Sequence, residues 1–164
     1  MTPSSVRSSS PRPPQPGSDD PHQGVDFADL DPIYDLALAG RPVQAVLTGN
    51  VAAIIDNRFP YGYAILVETP LDQVPLAWLE TLQVPTPAPT RESHPSLTCP
   101  EAENPLAWNS AQRSLYLMYA HLEKPFTLQT GDRVTCGQRL NTIGNSGNSL
   151  NPHLHLEVRV GPAG

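Results

Sequence analysis

Four of the five histidines in this 164-residue chain fall in three short segments whose other members are metal donors, glycines or strand formers. In His153-Leu154-His155-Leu156-Glu157, side chains two apart share one face of a strand. His153, His155, Glu157 and Arg159 therefore point one way, and Leu154, Leu156, Val158 and Val160 the other. One face is polar and the other belongs to a core. Two imidazoles so spaced can converge on one site, one as a metal ligand and the other acting on substrate or water. A lone His-x-His is equally the solvent face of an edge strand. In His22-Gln23-Gly24-Val25-Asp26, a nitrogen and a carboxylate donor stand four residues apart, with a glycine that lets the chain bend both to one point. Asp19, Asp20, Asp29, Asp31 and Asp35 crowd the same stretch, and no Lys or Arg occurs from 13 to 40. That is either an acidic entry loop or a place where a divalent cation relieves repulsion. Tyr119-Ala120-His121-Leu122 closes an apolar run in which Leu115, Leu117, Tyr119 and His121 alternate onto one face, with His121 the odd member. It reads as a strand-end histidine satisfied by a carbonyl, or as part of the same site. His94 lies in a proline-rich stretch and receives no role.

The elements that must position these residues read as short strands. Alternating runs at Val43–Leu47, Val51–Ile55 and Tyr61–Val67 form one group, and Leu115–Leu122, Arg139–Ile143 and His153–Val160 another. Glycines at 49, 62, 131, 137, 144 and 147 fall in or near the breaks. The expectation is an all-β fold, mainly antiparallel, laid out as a meander. Helix signals are weak, with one or two turns expected over Asp29–Ala39 before Gly40. Six prolines fall in residues 1–21 and eight in 70–105, but one between 106 and 151, so two segments fall outside the regular structure. Residues 1–18, Ser/Pro-rich and almost without large apolar side chains, read as a disordered linker. Residues 70–109 read as a long insert, with a helical turn of Leu76, Trp78, Leu79 and Leu82 lying on the body.

Length and composition leave room for one folded domain, residues 19–164. Ten basic against sixteen acidic residues give a net charge of −6 and no cationic surface for a nucleic acid. No apolar run is long enough to span a bilayer, and the start MTPSSVRSSSPRPPQPG has no apolar signal-peptide core.

Taken in order, His22-x-Gly-x-Asp26, Tyr-Ala-His-Leu, Gly-Asp-x-Val-x-x-Gly-Gln, and Gly144-Asn-Ser-Gly-Asn-Ser149 leading into Pro152-His-Leu-His-Leu-Glu157 resemble the M23 family of zinc metallopeptidases, the lysostaphin- and LytM-like endopeptidases. The resemblance covers roughly residues 20–160. It implies a sheet that forms a substrate groove, a zinc ion held by His22, Asp26 and His155, and catalytic roles for His121 and His153. It also implies peptide cross-links or stem peptides of bacterial peptidoglycan as substrates, and an extracellular or cell-envelope location. The chain departs from the family pattern in three places. The connection after Asp26 is long and makes Asp29 a rival ligand. The 70–109 insert replaces a tight hairpin and would border the groove. The chain stops soon after the last strand, which suggests truncation at the C-terminus.

Three protein ligands on zinc leave a coordination position open, the mark of a catalytic site. One of His121 and His153 would move a proton between water and the leaving amine while the other stabilises the oxyanion, and the sequence does not say which. Glu157 either orients a ligand imidazole or pairs with Arg159 at the surface. Tyr119, sharing the parity of His121, either donates to substrate or packs. The Gly144–Ser149 loop leads into a strand and lacks the glycine-lysine patterns of phosphate loops, so it reads as room for a peptide backbone. Cys99 and Cys136 either join the insert to the body or remain free thiols. The alternative to an enzyme is a non-catalytic wall-binding or regulatory module with the same fold.

Overall fold

A computed structural model of the chain describes residues 5–9, 22–82 and 113–164. In chain order these form β1 (Ser5–Ser9), β2 (Val25–Leu30), β3 (Pro42–Gln44), β4 (Gly49–Arg58), β5 (Gly62–Pro70), α1 (Leu76–Leu82), β6 (Arg113–Leu122), β7 (Arg133–Val134), β8 (Arg139–Thr142) and β9 (Leu154–Pro162). A seven-stranded sheet runs β1-β2-β9-β6-β5-β4-β7, and β3 pairs with β8 in a second, two-stranded sheet. All pairings between these strands are antiparallel. The all-β, mainly antiparallel expectation holds.

A plain meander does not. Strands β4, β5 and β6 follow one another as expected, but β9, last in the chain, lies between β6 and β2. Burial explains the placement. Over residues 154–157 of β9 both rows are covered, the polar one more fully, with His155 and Glu157 only 5% and 2% exposed and Leu154 and Leu156 partly buried. A strand buried on both faces takes a central place in the sheet, where neighbours satisfy both its edges.

The main core lies on one face of the large sheet. It comprises Val51, Ile65, Val67, Leu115, Leu117, Tyr119 and Leu122, with Val43, Leu140 and Ile143 from the β3–β8 side. The Tyr119 hydroxyl is spent there, accepting from the Val46 amide at 2.9 Å. Burial pushes that phenol up to about 12. Tyr119 thus packs, and its substrate role is set aside. On the opposite face Ala64, Met118 and Ala120 form a smaller apolar floor, joined by Ile55, Tyr61 and Leu66.

The stretch expected to be helical over Asp29–Ala39 is instead the end of β2 and a tight loop. Asp31 Oδ1 accepts from the Ile33 and Tyr34 amides at 2.8 and 2.9 Å, a side-chain turn that competes with a helix. The chain returns through a bridge between Leu30 and Ala37. Ile33, Tyr34 and Leu36 are all exposed, so no apolar helix face would have been buried. Within the segment read as a linker, residues 5–9 pair along β2 as the sheet's edge strand. The other residues of 1–18 lie outside the described residues. Of the insert, α1 follows Pro75, whose carbonyl takes the Trp78 amide at 2.8 Å. Leu79 packs on the core while Leu76 and Trp78 are exposed. Residues 83–109, with His94 and Cys99, lie outside the description. No helix among the described residues is long and apolar enough to cross a membrane.

The turn between β4 and β5 is packed backbone to backbone against the 144–149 loop. Gly62 and Gly147 both hold positive φ, 65° and 74°, and a methyl group added to either would run into the backbone of the opposite loop. Gly147→Ala is therefore expected to lower the urea-unfolding free energy by more than about 1 kcal/mol. An unchanged midpoint would show that this contact is not needed.

Candidate metal centre

Register builds the site. Asp26 on β2 pairs with His155 on β9, and His155 pairs in turn with Ala120 on β6. Cross-strand partners share a face, so the carboxylate and the imidazole stand side by side over the small apolar floor. His22, four residues before Asp26, folds back over them. Its Nε2 lies 3.0 Å from Asp26 Oδ1 and 3.1 Å from His155 Nδ1, and His155 Nδ1 lies 2.8 Å from Asp26 Oδ1. Donors around a tetrahedral zinc ion, each about 2.0–2.1 Å from it, stand about 3.3 Å apart. Three donors so close, two nitrogen and one carboxylate oxygen, fit such an ion and make this trio a cluster able to hold a metal.

The glycine at position 24 has a different reason from the bend expected. A Cβ there would sit 2.7 Å from Cε1 and Nε2 of His155 and from the Leu156 carbonyl. The His155 ring occupies the space a side chain would fill. Asp29, the rival ligand, stands three residues beyond Asp26, so it lies on the opposite face of β2, and it forms an ion pair with Arg41. It is not among the clustered donors.

His121 reaches the site by leaving the parity the sequence assigns to it. Its φ is +59°, a left-handed conformation uncommon outside glycine. The kink lets Leu122 take the place in the core that strict alternation gives His121. The His121 ring lies 4.7 Å from that of His153 and 5.8 Å from that of His155, centroid to centroid. The conformation is braced on both sides: the His121 amide donates to Tyr61 O at 3.0 Å, and the Gly144 amide to His121 O at 3.0 Å. Its Nδ1 meets Ser146 O at 2.7 Å. His153 is anchored likewise, Nδ1 meeting Asn151 O at 2.7 Å and the Ser149 hydroxyl at 3.1 Å, with Nε2 3.6 Å from Asp26 Oδ1. A carbonyl can only accept, so each ring carries its proton on Nδ1 and offers the Nε2 lone pair.

Glu157 and Arg159 fulfil both readings at once. His155 Nε2 meets Glu157 Oε1 at 2.9 Å, and Arg159 Nε donates to Glu157 Oε2 at 2.7 Å. Tyr61, in the β4–β5 turn, was not singled out from sequence. Its ring lies 6.1 Å from that of His155, and its hydroxyl is 3.2 Å from Arg159 Nη2. Ser146 and Ser149 were seen only as small loop residues, whereas the Ser146 hydroxyl donates to Leu122 O and accepts from the Tyr63 amide. Cys136 is a free, exposed thiol against Val46 O.

The electrostatics follow from these contacts. Burial would raise the Asp26 carboxyl, but the His155 hydrogen bond and the neighbouring imidazoles outweigh it and hold the group at about 2. Burial opposes protonation of His155, yet its bonds to Asp26 and Glu157 raise it to about 9. Burial moves His121 down, keeping it neutral. Burial raises Glu157 too, but His155 and Arg159 bring it below the usual carboxylate range.

A family model described as Peptidase family M23 matches residues 105–163, which include His121, His153 and His155 but neither His22 nor Asp26. Comparison with curated proteins gives no match. Among solved structures, the chain is similar to the catalytic domain of the antimicrobial peptidase lysostaphin from Staphylococcus simulans, with TM-score 0.54 and 21% identity over 94% of this chain and 80% of that one. It is also similar to the catalytic domain of a mutant of EnpA, a prophage-encoded M23 protein from Enterococcus faecalis, with TM-score 0.55 and 22% identity over 98% and 85%. A zinc-containing peptidase from Vibrio cholerae follows at TM-score 0.50 and 23% identity, over 97% of this chain and 32% of that one. These likenesses show a shared fold. The resemblance to M23 peptidases read from the sequence is borne out.

Metal-free protein should show two pH limbs. Asp26 ionises more readily folded than unfolded, so its contribution is present above 3.8 and lost as pH falls towards 2. His155 holds its proton more tightly folded, so its contribution is present below 6.5 and lost as pH rises through 9. Urea midpoints of chelator-treated protein should therefore fall between pH 6.5 and 9, and Asp26→Asn should flatten that fall. A midpoint indifferent to pH in this window contradicts the coupling.

Proposed function

We propose that the protein is a zinc-dependent endopeptidase that hydrolyses peptide cross-links or stem peptides of bacterial peptidoglycan, acting at the cell envelope. The observation that carries this is the convergence of His22, Asp26 and His155 at mutual distances of 2.8–3.1 Å, with two further imidazoles beside them. In this reading those three residues hold the metal and His121 and His153 are catalytic. A zinc ion held there supplies Lewis acidity, polarising a peptide carbonyl and letting water lose its proton near neutral pH.

The protein's own groups handle the proton. His121, kept neutral by burial and with Nδ1–H engaged by Ser146, accepts the proton of water at Nε2 and hands it to the leaving amine. His153, whose Nε2 faces the Asp26 carboxylate, stabilises the oxyanion when protonated. The similar solved structures are those of peptidases, which supports hydrolysis of a peptide bond, and the family resemblance supplies the cell-wall substrate.

His155→Ala should lose stoichiometric zinc and activity together. His121→Ala should keep zinc and lose about 100-fold or more in kcat. Full activity in either variant contradicts the assignment. Zinc-loaded protein incubated with purified sacculi, with a chelator control, should release fragments whose masses identify the bond cut. Folded protein that takes up no zinc would instead be the non-catalytic wall-binding or regulatory module.

A further inference from the structure

Glu157 is a buried carboxylate on the site face, 2% exposed, yet it is not one of the three donors that converge. Its cross-strand partner is Met118, and the floor around it is Ala64 and Ala120, so the sheet itself offers it no polar partner. Each of its oxygens is used by a different group. Oε1 takes the Nε2 side of His155 at 2.9 Å. Oε2 takes Arg159, through Nε at 2.7 Å and through Nη2. Arg159 is itself tied to two parts of the site wall: Nη2 lies 3.2 Å from the Tyr61 hydroxyl and 3.5 Å from Gln23 Oε1. Gln23 adjoins His22, and Tyr61 precedes the Gly62 contact with the 144–149 loop.

We infer that Glu157 is a positioning residue for metal binding, and that Arg159, held by Tyr61 and Gln23, braces it. This rests on the reading of His155 as a metal ligand. An imidazole has two nitrogens, and a ligand must present a lone pair on one while the other carries its proton. The Glu157 carboxylate accepts at Nε2 and so commits the Nδ1 lone pair of His155 to the point shared by His22 and Asp26. Without it the ring is free to turn about χ2 and to exchange tautomers, and the donor leaves the common point. Outer partners of this kind set metal affinity by about 10- to 100-fold. Arg159 fixes the carboxylate's own rotamer through its two contacts at Oε2, and the Tyr61 hydroxyl, which bears on both Glu157 and Arg159, holds the pair from the turn side.

The test measures zinc affinity, by competition with a chromophoric chelator, in the full chain and in Glu157→Ala, Glu157→Gln and Arg159→Gln, each checked for fold by its amide NMR spectrum. Glu157→Ala should bind zinc about 10- to 100-fold more weakly. Glu157→Gln should fall between it and the parent, since the amide oxygen can still accept. Arg159→Gln, at a half-exposed position that tolerates change, should lose less than Glu157→Ala but more than nothing. In the zinc-loaded parent the His155 Nε2–H should appear as a downfield proton resonance that shifts in Glu157→Gln, a signature a purely structural charge pair would not move. Parent-like affinity in all three folded variants, with the resonance unmoved, overturns the brace and leaves the metal assignment standing. A parent protein that binds no zinc overturns the metal assignment and the brace with it.

Discussion

The structure depends on one register: β9 lies between β2 and β6 so that Asp26, His155 and Ala120 form a row across three strands. A slip of one residue in either pairing would turn His155 into the core and bring Leu154 or Leu156 to the site face. The apolar residues of β9 guard against that slip, because Leu154, Leu156 and Val160 pack on the core opposite the site. Burial of the hydrophobic row on one face thus fixes which imidazole meets the carboxylate on the other. The small residues at 24 and 120 complete the row. One leaves room for the His155 ring, and the other keeps the floor beneath it shallow.

The second constraint is the left-handed backbone at His121. For a non-glycine residue it costs of order 1 kcal/mol or more, and it persists only where the surroundings over-determine it. Here three groups do so: the Tyr61 carbonyl, the Gly144 amide and the Ser146 carbonyl. Two of them belong to the 144–149 loop and one to the β4–β5 turn. These two segments meet at Gly62 and Gly147, so the close approach that only glycine permits is connected, through hydrogen bonds, to the placement of an imidazole beside His153. The serine hydroxyl at 146 joins the two sides, accepting from Tyr63 and donating to Leu122.

Much of this was legible from residue types and spacing. Alternation located β4, β5, β6 and β9 because each carries an apolar row against the core, and the His-x-Gly-x-Asp and His-x-His pairs gave the residues that converge. The position of β9 within the sheet was not legible. Pairing order is set by which strand has both faces covered, and the polar row of β9 looks like solvent face until Met118 and Ala120 are seen beneath it. His121 was placed on the correct strand but on the wrong face, since period-two reasoning assumes extended backbone throughout. Asp29–Ala39 failed for a local reason: Asp31 satisfies the amides of its own turn, and propensity cannot weigh that against a helix whose apolar side chains would have nothing to cover. Tyr61 carries no motif, and its place beside His155 follows only from the fold.

What separates the imidazoles chemically is which nitrogen the scaffold engages. On His155 a carboxylate holds Nε2 and Nδ1 faces the other donors. On His121 and His153 a backbone carbonyl holds Nδ1 and Nε2 is left. A carboxylate strengthens its partner's hold on a proton or a metal, and against the burial that opposes protonation Asp26 and Glu157 together raise His155 to about 9, whereas a neutral carbonyl fixes the tautomer with much less charge. The anionic partner therefore sits behind the ring that joins the donor cluster, and neutral partners sit behind the rings that stand beside it. Burial takes His121 further in that direction, lowering its affinity for a proton to suit exchange. Rings of the same residue type, with His153 and His155 4.7 and 5.8 Å from His121, thus differ because of what lies on their far sides.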